Sequence, residues 1–294
     1  MINAPFEALW SHTQDPALHE RWDLRFTRIA YLPRPDESQP QRFTYETRIG
    51  FGLRIVGTGE SVGTHDTPTE STSALKFGSD DPKSLIREGS GYWKYIRTAS
   101  GIRFLTLYDY KTRFGGAGRV VDRLMFRPML GWATAWSFDR VRLWLERGID
   151  PGHSATRAAV AGLSRIALAT MWFYLGLVPK LILMHPDEFT PLLAAGFSGD
   201  AARRVVIFAG WFEMGFAILL LIIRHRMMFV LVIVFLILLC AGAAAVSPEM
   251  LLQPFNPLSL TIVAVGLAAA GFIASHDLPS ARRCRRTQPG DTPS

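Results

Sequence analysis

Long apolar runs dominate the second half of the chain. Four segments carry hardly any charge, and they cover residues 166–184, 205–223, 227–246 and 258–275. A helix needs about 20 mainly apolar residues to cross the hydrocarbon core of a bilayer. The buried helices of a soluble protein keep a polar face, and these segments have none. The pattern therefore predicts four membrane-spanning helices.

The first 150 residues follow a different pattern. Apolar and polar positions alternate over 42–49 and 102–113, which predicts half-buried antiparallel strands. Two short helices are expected before them, over 6–13 and from Asp15-Pro16 to Trp22. Weaker strands of the same kind are predicted at 24–32, 55–62, 71–77 and 85–97. The order is two short helices, six strands and then one long helix.

A helical period replaces the alternation after Phe114-Gly115-Gly116. It predicts an amphipathic helix that reaches about Leu145 and is kinked at Pro128, because the proline ring clashes with the carbonyl of Leu124. An antiparallel sheet that packs against this helix buries the apolar faces of both. The apolar positions that recur at spacings of three and four are Val121, Leu124, Met125, Pro128, Trp132 and Trp136.

Charge sets the expected orientation in the membrane. The net charge is +7, but the arginines gather at the ends of the apolar runs, which favours anionic lipid over nucleic acid as the partner. The segment before the first span, the turn at 224–226 and the tail are rich in arginine. The loop at 247–257 has no positive residue, and Arg203 and Arg204 are the exception to the trend. The balance predicts a multi-pass inner-membrane protein with both termini in the cytoplasm.

Other signals agree with a cytoplasmic N-terminal half. Glu7, Asp15 and Glu20 interrupt the stretch in which a signal peptide requires apolar residues. Cys240 lies in an apolar run and Cys284 in the basic tail, so we expect no disulfide framework, as in a reducing compartment.

Two ionisable residues fall inside the predicted spans, and they are Lys180 and Glu213. A lone charge in hydrocarbon is costly, so such residues usually pair or line a polar path. The spans run in opposite directions, which allows the two side chains to meet in the outer half of the bilayer. The alternative is that Lys180 reaches the headgroups while Glu213 is protonated or faces a neighbouring helix.

Local motifs in the second half resemble the DoxX-like family of small four-helix membrane proteins. The resemblance covers about 165–275 and rests on Trp172-Phe173-Tyr174-Leu175-Gly176-Leu177-Val178-Pro179-Lys180, on His185-Pro186-Asp187-Glu188 and on Pro254-Phe255-Asn256-Pro257-Leu258. It implies the four-helix architecture. Founding members are linked to thiosulfate and quinone chemistry, and that activity is not carried over to this chain.

The opening of the chain resembles the START-like, or polyketide-cyclase, superfamily of helix-grip domains. The resemblance covers about 1–149 and rests on Asn3-Ala4-Pro5-Phe6-Glu7-Ala8-Leu9-Trp10 with Asp15-Pro16 before Arg21-Trp22. It implies an apolar pocket between sheet and long helix. The strand that usually precedes this motif is missing, or the true start lies upstream. Inward candidates are Trp93, Tyr95, Phe104, Tyr108, Trp132 and Trp136, and the alternative for each is plain core packing.

Catalytic and metal-binding patterns are absent from the sequence. After Gly57-Thr58-Gly59 the third glycine, Gly63, comes one residue too late for a dinucleotide loop, and no helix pattern follows. No His-x-x-x-His, cysteine pair or Gly-x-Ser-x-Gly is found either. We therefore expect no catalytic residues, no metal and no cofactor. The predicted divisions are a helix-grip α+β domain at 1–149, a linker at 150–164, an all-α four-helix transmembrane bundle at 165–276 and a basic disordered tail at 277–294.

Two functions remain open at this point. The first is a membrane protein whose cytosolic domain binds a hydrophobic small molecule or lipid near the bilayer, because anchoring keeps an apolar ligand close to its source. The second is a membrane redox or quinone-linked accessory or enzyme, with Lys180 and Glu213 as its polar centre. Membrane lipids are expected partners in both, and either a second copy or another membrane protein is compatible with the bundle.

Overall fold

The computed structural model describes residues 1–34, 36, 38–50, 52–254 and 256–285. The chain divides into two compact units, and each is treated by itself. The N-terminal unit comprises Met1–Ser154 together with the tail from Pro279, and the C-terminal unit comprises Ala155–Leu278. Residues 151–164, predicted as a linker, are helical and begin helix α5, Pro151–Leu175.

Two short helices and an antiparallel sheet open the N-terminal unit. Asp15 ends the first helix and caps the second, accepting a hydrogen bond from the Ala17 amide at 2.8 Å, with Pro16 at the first helical position. The six strands pair in sequence order, each antiparallel to the next, as the alternation predicts. The elements are α1 (Phe6–Gln14), α2 (Pro16–Trp22), β1 (Arg28–Tyr31), β2 (Arg42–Gly50), β3 (Leu53–Asp66), β4 (Glu70–Gly78), β5 (Ile86–Thr98) and β6 (Gly101–Thr112).

A single backbone bridge stands beyond the outer edge of β6. Ile2 pairs with Ile102 there, with hydrogen bonds in both directions at 2.9 and 2.8 Å. Ile2 is buried, so the residues before α1 are tied to the sheet by main-chain and side-chain contacts together.

The core of the N-terminal unit lies where the helices cover one end of the sheet. Trp93 and Tyr95 of β5 pack against Leu9 of α1 and Trp22 of α2. The Tyr95 hydroxyl shares a hydrogen bond with the Thr13 hydroxyl at 2.7 Å, which satisfies its polar group inside the core. The remaining buried members of this core are Ile2, Ile102, Phe104 and Val141.

The long helix after the sheet is interrupted before its proline. It runs as α3 (Gly115–Val121), a π-helical turn (Asp122–Phe126) and α4 (Arg127–Arg147), with Pro128 in the first turn of α4. Proline lacks the N–H that would continue the regular pattern, and its ring crowds the preceding turn. The predicted kink at Pro128 is therefore taken up by the wider turn just before it.

Only the C-terminal half of the long helix contributes to the core. Phe138, Val141 and Leu145 of α4 pack against the buried cluster. The prediction that the apolar stripe of the N-terminal half is buried is wrong, because the side of the helix that faces β6 there carries Gly118 and Asp122 instead. Its residues Val121, Leu124, Met125 and Trp132 are exposed.

A buried charge cluster joins α2 to the first strand. The Asp23 carboxylate is fully buried and accepts hydrogen bonds from Arg25 at 2.6 Å and from His19 at 3.0 Å. Burial by itself raises the pKa of Asp23, but the Arg25 charge and the hydrogen bonds from His19 and Arg25 outweigh it and hold the pKa well below its usual 3.8. Asp23 is therefore charged at neutral pH.

Part of the basic tail is ordered on α4, contrary to the disordered tail predicted from residue 277. The Ser280 amide donates to the Asp139 carboxylate at 2.7 Å, and Ala281 is buried. A 3-10 turn, Ala281–Arg283, follows. The rest of that prediction, 286–294, lies outside the described residues.

Among the described residues, four helices are long and apolar enough to cross a membrane, in agreement with the four predicted spans. They are Pro151–Ile182, Gly199–Ile222 (α7), Met227–Val246 (α8) and Pro257–Ala274 (α9). The first combines α5 with a π-helix, Gly176–Ile182, and a short helix, α6 (Pro186–Ala194), leads into α7. A 3-10 turn, Pro248–Leu252, lies between α8 and α9.

Small residues let the membrane helices approach closely. A side chain at Gly176 would stand 2.5 Å from the Gly210 carbonyl, and one at Gly271 would stand 2.5 Å from the Phe229 ring. Around these contacts Leu168, Trp172 and Phe216 belong to one buried cluster. Packing of this kind replaces the hydrophobic effect, which does not act between helices in lipid.

We expect Asp23→Asn to lower the free energy of unfolding of the N-terminal unit by about 3–5 kcal/mol at neutral pH, because it leaves the buried Arg25 unpaired. The folded-state pKa of Asp23 is lowered, so its stabilisation is complete above about pH 3.8 and is lost as the pH falls through the folded-state value. The difference from wild type should therefore narrow on acidification. Urea unfolding of the full chain in detergent, followed by hydrogen exchange of peptides from residues 16–31, measures it. The exposed Asp66→Asn serves as control, and an equal loss there would contradict the assignment.

Candidate functional site

A row of alternating aromatic and glycine residues crosses the sheet. The register pairs Phe43 with Gly59, Gly59 with Phe77, Phe77 with Gly89, and Gly89 with Tyr110. Directly paired residues share one face of a sheet. On β5 this is the face that carries Trp93 and Tyr95 of the core, four or more residues further along. We call these five residues the aromatic–glycine row.

The rings of this row lie across the glycines of the neighbouring strands. A side chain at Gly59 would stand 2.4 Å from Cζ of Phe43, and one at Gly89 would stand 2.6 Å from Cζ of Phe77. No residue larger than glycine fits there without moving a ring. The row therefore forms a flat apolar floor that depends on both residue types.

An open cavity of about 660 Å³ lies on this floor, on the part of the sheet face that the core helices leave uncovered. Its volume falls within the range of small-molecule sites. The rings and glycines form the base, whereas the charged residues of the lining alternate with them along the strands and so belong to the opposite face of the sheet. The lining comprises the aromatic–glycine row with Leu32, Arg42, Thr58, Glu60, Lys76, Gly78, Glu88, Ser90, Asp109 and Lys111.

Tyr110 links the cavity to the turn that precedes α4. Its hydroxyl donates to Asp122 at 2.6 Å, and Arg127 donates to the other oxygen of that carboxylate at 2.9 Å. Burial and the hydrogen bond to Asp122 raise the pKa of Tyr110, so the phenol keeps its proton throughout the neutral range.

The six residues predicted to line a cavity do not line this one. Trp93, Tyr95 and Phe104 are core residues packed under α1, α2 and α4. Tyr108 is half-buried and stacks on Tyr110 at 6.3 Å. Trp132 is exposed and stacks on Trp136 at 6.0 Å. Sequence alternation placed Phe43 on the same face as the core, but the glycine positions opposite it depend on strand register, which the sequence does not display.

In the C-terminal unit, Lys180 and Glu213 are brought together. The ammonium nitrogen of Lys180 lies 3.2 Å from Oε2 of Glu213 and 3.2 Å from Oε2 of Glu188. It also donates to the Leu175 carbonyl at 3.3 Å. Together, Lys180, Glu188 and Glu213 form what we call the intramembrane cluster.

Pro179 explains why the cluster forms at this position. A proline cannot donate an N–H to the carbonyl four residues earlier, which is that of Leu175. Lys180 donates to this carbonyl through its side chain, and the helix widens into the π-helix Gly176–Ile182. Single π-helical turns inside α-helices are frequent at functional sites.

Glu213 is 7% exposed, and its Oε2 accepts no hydrogen bond of good geometry among the described residues, although Lys180 is within ion-pair distance. The indole N–H of Trp172, one turn before Gly176, is likewise buried without an acceptor in the described part of the chain. A buried unsatisfied group in a native protein calls for a water, a ligand or a catalytic role. One donor and one acceptor are thus available in the apolar interior of the bundle.

Glu188 is the member of the cluster that sequence reasoning missed. Asp187 and Glu188 stand in the first turn of α6, where acidic residues favour the helix start. Glu188 is eight residues from Lys180 and lies beyond a helix end, so the sequence spacing does not predict their contact. With two carboxylates around one ammonium, the cluster carries a net negative charge when all three groups are ionised. It can therefore take up a proton or hold a hydrogen-bonding group.

Among the described residues, no group of three or more His, Cys, Asp and Glu side chains could hold a metal ion.

Comparisons with known proteins bear on the membrane half first. Residues 169–269 match the model of the DoxX-like family. The chain is also similar to "Uncharacterized membrane protein YndG" of Bacillus subtilis (strain 168), with 41% identity over 290 residues that cover 97% of this chain and 94% of the relative. No solved structure matches the chain.

We expect Lys180→Met and Glu213→Gln to be strongly non-additive in a double-mutant cycle, with a coupling energy of about 1–3 kcal/mol, because Lys180→Met leaves the buried Glu213 without its counter-charge, and this penalty is absent once Glu213 is replaced by Gln. Unfolding of the full chain in detergent, driven by sodium dodecyl sulfate, measures it. Asp187→Asn is the matched control, since Asp187 is exposed and pairs with His185 instead. If the effects of Lys180→Met and Glu213→Gln add within about 0.5 kcal/mol, the two residues do not form a stabilising ion pair.

Proposed function

The chain belongs to the family of the membrane protein YndG and carries a DoxX-like region at residues 169–269, and we propose that it is an inner-membrane protein whose N-terminal unit binds a hydrophobic small molecule or lipid. That it is an integral membrane protein follows from the family and the four apolar helices. The ligand site proposed is the cavity over the aromatic–glycine row.

The arrangement of the N-terminal unit supports a START-like helix-grip fold as part of this proposal. Two short helices precede an antiparallel sheet, and a long helix after the last strand packs its C-terminal half on the sheet face. The bridge from Ile2 to Ile102 stands beside the last strand, at the edge where a further strand would extend the sheet. Domains of that class hold apolar molecules between sheet and helix.

One observation carries the binding proposal, and it is the uncovered apolar floor. Phe43, Phe77 and Tyr110 are only half-buried, although they lie on the same sheet face as the closed core. An apolar ligand laid over the three rings removes their surface from water, at about 25 cal/mol for each Å² buried.

Charge at the ends of the helices supports a cytoplasmic location for both termini. Arg165 caps the C-terminal end of α7, donating to the carbonyls of Leu220 and Ile223 at 2.8 and 2.9 Å, and Arg224 and Arg226 follow directly. Basic residues concentrate on the cytoplasmic side of membrane proteins.

Orientation is tested by labelling intact cells with a membrane-impermeant maleimide, in a background with Cys240→Ser and Cys284→Ser. We expect Glu249→Cys to be labelled from outside, and His225→Cys to be labelled only after the inner membrane is permeabilised. The reverse pattern would place the N-terminal unit on the outer side.

A second candidate function rests on the intramembrane cluster. Lys180 can donate to a carbonyl, and the buried Oε2 of Glu213 can accept from a hydroxyl, so the pair suits the two redox forms of a quinone. This observation favours a membrane redox or quinone-linked accessory role for the bundle.

Native mass spectrometry of the full chain, released from mild detergent, distinguishes the two candidates. We expect a co-purifying small molecule whose occupancy falls about fivefold in Phe77→Leu and in Tyr110→Leu, on a loss of roughly 1 kcal/mol of apolar contact. The matched control is Tyr92→Leu, since Tyr92 lies on the opposite face of β5 from Trp93. If occupancy responds to Glu213→Gln and not to Phe77→Leu, the bundle is the site. If no molecule is bound and none from a lipid panel binds, the first proposal fails.

A further inference from the structure

A continuous apolar strip covers the outward side of the long helix in its N-terminal half. It runs from α3 into the start of α4, before the part of the helix that packs on the core. Leu124 is 74% exposed and Trp132 is 43% exposed. Monomeric soluble proteins rarely leave contiguous apolar surface of this kind uncovered, and where they do it marks a binding surface. We define the apolar strip as Val120, Val121, Leu124, Met125, Met129 and Trp132.

A line of arginines runs beside the strip. Arg119, Arg123 and Arg127 recur every four residues, which places them on one side of a helix, and all three are exposed. The buried side of the same helix contains Gly118 and Asp122. The helix therefore presents an apolar stripe bordered by positive charge.

No exposed carboxylate offsets these arginines within residues 113–132. The single acidic residue there is Asp122, which is buried and accepts hydrogen bonds from Tyr110 and Arg127. Arg127 is thereby largely neutralised, whereas Arg119 and Arg123 keep their charge for an external partner.

We propose that this segment, residues 115–132, lies in the surface of the bilayer and binds anionic lipid headgroups. An interfacial helix combines an apolar face, which enters the boundary between headgroups and acyl chains, with arginines that contact anionic lipid. The bilayer is also within reach, because the chain that carries the segment continues from α4 into α5, which forms most of the first span. This inference is independent of any ligand in the sheet cavity.

Depth-dependent quenching tests the proposal on the full chain in lipid nanodiscs that hold one copy each. Leu124→Cys, in a background with Cys240→Ser and Cys284→Ser, carries a bimane fluorophore, and spin-labelled lipids serve as the quencher. Discs contain phosphatidylcholine alone or with phosphatidylglycerol. Thr64→Cys, exposed near the end of β3, is the control position.

The expected result is strong quenching at position 124 in discs with phosphatidylglycerol, weaker quenching without it, and none at position 64. Arg119→Gln with Arg123→Gln should lower the ratio of docked to undocked unit about 30-fold, at about 1 kcal/mol for each arginine. Arg87→Gln with Arg103→Gln, exposed on the sheet, should leave this ratio unchanged.

If position 124 stays as open to aqueous iodide as position 64, the proposal is overturned. A parallel set of discs that hold two copies is measured in the same way, and protection that appears only in those discs also overturns the proposal, in favour of a second copy as the cover.

Discussion

Hydrocarbon offers no hydrogen bonds, and this constraint shapes the membrane half of the chain at every level. Backbone groups must bond within their own helix, so each span is a long apolar helix. Where Pro179 breaks that pattern, the Leu175 carbonyl loses a donor, and the Lys180 side chain takes its place. The ammonium brought inside in this way needs counter-charges, and Glu188 and Glu213 stand at 3.2 Å from it.

The intramembrane cluster therefore follows in part from the backbone: the Lys180 side chain satisfies the Leu175 carbonyl, and the two carboxylates then balance its charge. Close approach at Gly176 and Gly210 is part of the same arrangement, because it brings α7 near enough for Glu213 to meet Lys180. The unsatisfied Oε2 of Glu213 and the indole N–H of Trp172 are the polar groups that this arrangement leaves over. They give the bundle a chemical capacity that plain helix packing does not require.

In the N-terminal unit the corresponding constraint is that apolar surface in contact with water is unfavourable. The sheet offers one long face, and the helices close only the end that holds Trp93 and Tyr95. The other end keeps the aromatic–glycine row open to a cavity, and the segment from α3 into the start of α4 keeps its apolar strip open as well. Tyr110, through Asp122, connects these two uncovered regions within one unit.

The sequence by itself determined the features that depend on periodicity. Four long apolar runs predicted four spans, and alternation at 42–49 and 102–113 identified an antiparallel sheet with the correct faces. It also singled out Lys180 and Glu213, because charge in an apolar run is conspicuous at any register.

Tertiary structure decided what depends on which segments meet. The pairing of Phe43, Phe77 and Tyr110 with glycines follows from strand register, and the contact of Glu188 with Lys180 from a helix end. The exposure of Leu124 and Trp132 follows from which side of the helix meets the sheet. A stripe of apolar residues looks the same in sequence whether a sheet, a bilayer or nothing covers it, since only the position of other elements distinguishes these cases.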